Sequence, residues 1–85
     1  MISAGDSVIY VPRHIQIPNM NKFNFNNPLC EYGIVKSAND MFIFVNYVKN
    51  GIPQNTAAAT DPKDLFFLDG TPILNVMEEF NNLKI

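Results

Sequence analysis

His14 and Cys30 are the only histidine and the only cysteine of the chain, so acid/base chemistry on imidazole and nucleophilic chemistry on thiolate have one candidate each. Pairing His14 with Asp6, Asp40 or Cys30 matches no spacing that builds a catalytic unit. The chain is therefore expected not to be an enzyme and to carry no catalytic residues. Asp61, Asp64 and Asp69 lie close in sequence. They lack the alternating oxygen ligands, glycine and distal glutamate of a calcium loop. Caps around a short helical turn account for them better, and neither a metal nor a cofactor is expected. A lone cysteine also excludes an intrachain disulfide and a cysteine-based zinc site.

The residue types that suit a ligand pocket are Tyr10, Arg13 and His14 after the first apolar run, Phe23 and Phe25 further on, and Asn55, Thr56 and Thr60 in a small-residue segment. Arginine holds phosphate or carboxylate bidentately, aromatic rings stack on bases or prolines, and amides and hydroxyls fix orientation. The competing reading makes Phe23 and Phe25 covers for an apolar surface, since burying such a ring is worth about 2–3 kcal/mol, and leaves Arg13 as a solvated charge. Burial is the favoured reading of the two phenylalanines. Arg13-His14 stands evenly between the two, because polar residues on a loop held by a rigid strand are where function concentrates.

Eighty-five residues make one domain near the lower size for a self-sufficient core. Hydrophobic residues are 47% and charged residues 16%, a composition too apolar for disorder. The six basic residues, Arg13, Lys22, Lys36, Lys49, Lys63 and Lys84, form no cluster, and the net charge is -2. Duplex DNA is thus an unlikely partner, because bulk phosphate neutralisation needs a basic face. No apolar run approaches the roughly 20 residues of a spanning helix, and Met1 to Asp6 carry no signal-peptide pattern. A soluble, cytoplasmic protein without membrane contact is expected.

Period-2 alternation and turn residues place the elements that would position these side chains. Residues 7–11 read as a first strand stopped by Pro12. In it Val8 and Tyr10 share one face, Ile9 and Val11 the other. Residues 12–30 form a long connection, ordered in part, in which Phe23 and Phe25 lie on one side of an extended segment. Residues 31–37 and 41–48 pair as a hairpin around Ala38-Asn39-Asp40, where Asn and Asp tolerate positive φ. The second of these strands is apolar on both faces and is expected to be covered on both. Lys49-Asn50-Gly51 is a turn, 52–60 a small-residue strand, 61–65 a helical turn capped by Asp61 with Pro62 at its first position, and 66–68 a last short strand.

Beyond Asp69-Gly70, Thr71 and Pro72 open an amphipathic helix over 71–85 with Ile73, Val76, Met77, Phe80 and Leu83 on one stripe. A helix of about three turns needs packing. The stripe either closes the domain formed by residues 1–70 or pairs with a second subunit, giving a homo-oligomer.

The order of strand, long loop, hairpin, strand, helical turn and strand resembles an SH3-like (Tudor/KOW-like) small β-barrel, a mainly β fold of about five strands. More narrowly, Val8-x-Tyr10-Val11-Pro12-x-His14, Gly33-x-Val35-x-Ser37-x-Asn39-Asp40 with Phe44-Val45, and Ala59-Thr60-Asp61-Pro62-x-Asp64-Leu65 resemble a family of short phage and prophage proteins of uncharacterised function. That resemblance covers residues 5–68, departs between Ile15 and Leu29 and after Gly70, and implies a fold and a viral source. A phage source implies action in the host cytoplasm, including antagonism of host defence.

Two functions follow as expectations. The first is a non-enzymatic binding module acting on a host or phage macromolecule, a protein in particular, through the long loop and the barrel face. The second is a small-molecule sequestering protein that captures nucleotide signals of a bacterial defence system at an oligomer interface, with Arg13, His14 and Thr or Asn side chains on the phosphates and a tyrosine on the base.

Overall fold

Residues 2–74 are described in a computed structural model. They form a mainly β structure whose strands are β1 (Ser7–Tyr10), β2 (Glu31–Ala38), β3 (Ile43–Lys49), β4 (Ile52–Pro53), β5 (Ala58–Thr60) and β6 (Leu65–Phe67). All pairings are antiparallel. The hydrogen-bonded order is β4-β3-β2-β1-β6, and β5 pairs the first half of β3 on the same side as β4. Three short 3-10 turns, at Arg13–Ile15, Lys22–Asn26 and Pro62–Asp64, interrupt the connections. No helix of seven or more residues occurs among the described residues.

The hairpin of β2 and β3 forms as expected, but its turn works differently. Asn39 does not take positive φ. Its side-chain oxygen instead accepts the Met41 and Phe42 amides, each at 2.8 Å, an Asx turn that stabilises the reversal without backbone strain. Asn50 and Gly51 do adopt positive φ, 54° and 77°. A two-residue loop of that hand matches strand twist and joins β3 to β4.

The small-residue strand expected over 52–60 is two strands. Pro53 has no N–H to continue a ladder, and the chain leaves β3 through Gln54, whose amide donates to the Tyr47 carbonyl at 2.8 Å and whose carbonyl accepts from the Asn46 side chain at 2.9 Å. Pairing with β3 resumes only at Ala58.

Two apolar clusters lie on opposite faces of the sheet. The inner one contains Val8, Val35, Ile43, Val45, Leu65 and Ile73, with Tyr10, Tyr47 and Phe67 packed against it. Gly33 in β2 makes this possible, because a Cβ there would collide with the Val45 and Tyr47 side chains on the neighbouring strand. The outer cluster contains Val11, Met20 and Phe66, with Ile9, Ile15, Phe25 and Cys30 around it. Coverage on both faces, expected for β3, therefore falls on β1 and β6. The long connection starts at the end of β1 and returns to pair beside it, so β1 and β6 are the strands it can reach.

Residues 12–30 are folded rather than extended. Asn21 caps the Lys22–Asn26 turn, its side chain accepting the Phe23 amide at 2.9 Å while its own amide donates to the Asn24 side chain at 2.9 Å. The connection is fixed at two further points. The Val11 amide donates to the Asp64 carbonyl at 2.9 Å, and Gly70, with φ 97°, lets the backbone of Met20 and Asn21 approach so closely that a Cβ would meet the Met20 carbonyl. Glycine is required there for both space and conformation.

The helix expected over 71–85 falls, beyond Leu74, outside the described residues. Within them, Thr71 and Pro72 extend the sheet: the Phe67 amide donates to the Thr71 carbonyl at 2.9 Å, and Pro72 bridges to Phe66.

Candidate functional site

The end of β1, the start of β2, the second half of β3 and the chain from β5 into the Pro62–Asp64 turn enclose a groove of about 370 Å³. It is lined by Tyr10, Glu31, Tyr47, Thr60, Asp61 and Asp64, with Ala59 at its edge. Register explains the gathering: Tyr10 lies opposite both Glu31 of β2 and Leu65 of β6. The Tyr10 and Tyr47 rings meet edge to face with centroids 6.2 Å apart and planes at 75°, a favoured arrangement of two π-systems. The Tyr47 hydroxyl shares a hydrogen bond of 2.8 Å with the hydroxyl of buried Thr60.

Burial pushes the Tyr47 phenol up to about 12, and the negative charges of Glu31 and Asp64 contribute in the same direction. Those two carboxylates therefore act on the phenol oxygen across the groove. Asp61 and Asp64 come from the short turn that Asp61 itself caps, accepting the Lys63 amide at 2.9 Å, with Pro62 at the first position.

Arg13 stands at the rim. Its Nε and Nη2 donate to the Asp64 carboxylate at 3.3 and 3.4 Å, and Nη2 reaches Asp61 at 3.5 Å. Its pairing with Asp64 raises the guanidinium pKa above its already high ordinary value. The side chain is 64% exposed against 15% for Asp64, so this pair is mostly a surface contact and stabilises little by itself. Gln16 completes the joint, its side-chain amide donating to Asp64 at 2.9 Å and to the Val11 carbonyl at 3.0 Å.

The residues expected to form one pocket are thus distributed. Tyr10 and Thr60 line the groove, and Arg13 holds its acidic wall. Asn55 and Thr56 are exposed and line a different depression with Lys36, Ser37 and Phe44. His14 is exposed on the Arg13–Ile15 turn. Phe25 packs on Phe66 with ring centroids 6.2 Å apart, while Phe23 is 73% exposed. The two rings do not share a side because residues two apart in a 3-10 turn point in different directions. Of the apolar stripe, Ile73 is fully buried in its own chain's inner cluster, and Val76, Met77, Phe80 and Leu83 lie outside the described residues.

Residue type and spacing do not single out Glu31, Tyr47, Asp61 and Asp64 as ligand contacts. The signal for Tyr47 and Glu31 is strand register, which needs the pairing partner of each strand. For the two aspartates the capping role is real for Asp61 but does not exhaust either side chain.

A larger hollow of about 530 Å³ lies beyond the same turn, between Met20, Phe66, Gly70 and Leu74, with Lys63 and Asp69 as its charged residues. It adjoins the last described residue, whereas the Tyr10–Tyr47 groove is built wholly from sheet and turn. Cys30 is half-buried in the outer cluster, and burial pushes its thiol up, away from the thiolate form. Among the described residues no group of three or more histidine, cysteine, aspartate or glutamate side chains could hold a metal ion, and no helix is long and apolar enough to cross a membrane. No family model, curated protein sequence or solved structure matches the chain.

Proposed function

We propose that the chain is a non-enzymatic binding module on an SH3-like barrel scaffold that engages a protein partner, of host or phage, through the groove between Tyr10, Tyr47 and the Pro62–Asp64 turn. The observation that carries this reading is the groove's lining: two tyrosine rings in contact and three carboxylates, positioned by strand register and by a capped turn. Tyrosines offer apolar area with a polar tip at little conformational cost, which suits protein recognition. The same lining disfavours a polyanion. Phosphates brought to Glu31, Asp61 and Asp64 meet like charge, and Arg13, which a nucleotide-sequestering role places on phosphate, is already paired with two of those carboxylates. The barrel, the phage-type resemblance and the host cytoplasm as the place of action belong to this proposal.

The reading is tested by thermal denaturation of the full chain against a panel of cyclic and linear nucleotides, alongside peptide pools followed by amide chemical shifts. A ligand that binds only the native state raises the melting temperature. The expected result is no nucleotide-dependent rise and shifts at the groove with peptide. A nucleotide that raises the melting temperature, or is hydrolysed, overturns the reading.

A further inference from the structure

We infer that the Tyr10–Tyr47 groove receives a lysine or arginine side chain of the protein partner. The inference rests on the binding reading above and names the chemistry of its ligand. Three carboxylates, Glu31, Asp61 and Asp64, face the groove or its rim, against a single guanidinium, that of Arg13. Lys63 belongs to the same turn but lines the hollow on its other side. The wall is therefore negative on balance.

The balance is also unevenly distributed. Asp64 is engaged by Arg13 and Gln16, and Asp61 holds Arg13 only at 3.5 Å. Glu31, on the opposite wall, is exposed and enters no ion pair among the described residues. A cation entering the groove thus finds one carboxylate outside any ion pair, Glu31, and in Asp61 one whose Oδ1 caps the Lys63 amide at 2.9 Å while its Oδ2 holds Arg13 only at 3.5 Å. It also finds the rings of Tyr10 and Tyr47, whose π-systems attract a cation within about 6 Å of a ring centroid. Arg13 is an internal precedent, since the turn already seats one guanidinium on Asp64 from the loop side. A primary amine or guanidinium on a partner satisfies the other side, by charge-assisted hydrogen bonds to Glu31 and Asp61.

The experiment titrates the isotope-labelled full chain with tetralysine, tetraarginine and tetraglutamate, reading amide shifts and affinity at two salt concentrations. The expected result is binding of both cationic peptides, with shifts at Tyr10, Glu31, Tyr47 and Thr60, weaker at high salt. Glu31→Lys weakens it by about tenfold or more, and Glu31→Gln, which keeps the shape, gives a smaller loss. In the tetraarginine complex, whose guanidinium stays charged at that pH, the Tyr47 phenol titrates at lower pH than in the free protein, because a neighbouring cation favours phenolate. Cationic peptides that do not bind, or that bind with shifts elsewhere and indifferently to Glu31→Lys, overturn the inference. Tetraglutamate or an uncharged peptide binding the groove equally well overturns it too, yet leaves the protein-binding reading standing. Nucleotide binding without peptide binding overturns both.

Discussion

Val8 and Ile9 are neighbours in β1 and face different kinds of interior. Below Val8, four strands and Ile73 supply the inner cluster, so each side chain is held by residues distant in sequence. Above Ile9, the outer cluster is Val11 and Phe66 covered by Ile15, Met20, Phe25 and Cys30, all from the one connection between β1 and β2. The first interior cannot be lost without losing the sheet. The second can open as a unit, because its lid is a single chain segment held by Asp64, by the Met20–Gly70 approach and by ring contacts. Cooperative units of unequal stability are the expected consequence.

The inner face should give the largest effects. Ile43 is fully buried, and Ile43→Ala should cost about 3–4 kcal/mol, the cost of a core truncation plus its cavity. That is a large share of a small domain's roughly 5–15 kcal/mol. Urea denaturation would show a lower midpoint, and hydrogen exchange would show β1, β2, β3 and β6 losing protection together. If only one strand loosens, the inner cluster is not one cooperative unit.

The next effects fall on the outer face and should be local. Gly70→Ala places a Cβ against the Met20 carbonyl and 2.7 Å from the Asn21 Cα, at a φ of 97°. The expected loss is about 2–3 kcal/mol from strain alone, with limited proteolysis appearing within 12–30. Phe25→Ala removes a half-buried ring from Phe66 and should cost about 1–2 kcal/mol, below the range for fully buried phenylalanine. In both variants β2 and β3 should keep their exchange protection. Global melting in either would erase the difference between the faces.

What the sequence discloses follows the same division. Alternation along β1 is readable because it is local, and so are the Asn50-Gly51 turn and the Asp61-Pro62 cap, whose chemistry is complete within two or three residues. The connection 12–30 was not readable, because its fold depends on Asn21 capping a turn that sends Phe23 and Phe25 apart, and on a glycine 50 residues beyond Met20. The groove fails for a related reason. Tyr10 and Thr60 carry recognisable residue types, but Glu31 and Tyr47 join them only through register, and Arg13 meets Asp64 across 51 residues.

A smaller effect concerns pH at the Gly70 attachment. The Asp69 carboxylate accepts the Thr71 amide at 2.8 Å. That bond, with the Thr71 hydroxyl, holds its pKa below the ordinary value. Because the folded pKa is the lower one, the stabilisation is present above the unfolded carboxylate pKa of about 3.9 and is lost as pH falls through the folded value. Asp69→Asn should therefore flatten the acid limb of a stability profile by lowering its plateau slightly near neutrality, and should match the unmodified chain at the lowest pH. An acid limb unchanged in the variant would assign the loss to other carboxylates.

Phe23 sets the lower limit and separates exposure from lid function. It belongs to the same 3-10 turn as Phe25, yet 73% of it is exposed, so Phe23→Ala should cost less stability than Phe25→Ala. Its backbone amide would still reach Asn21, and the cap that folds the turn would survive. Proteolysis within 12–30 should stay at the unmodified rate while Phe25→Ala accelerates it. If Phe23→Ala opens the connection as readily as Phe25→Ala does, the lid is held by the turn as a whole rather than by the ring that faces Phe66, and the outer face depends on local backbone order more than on burial.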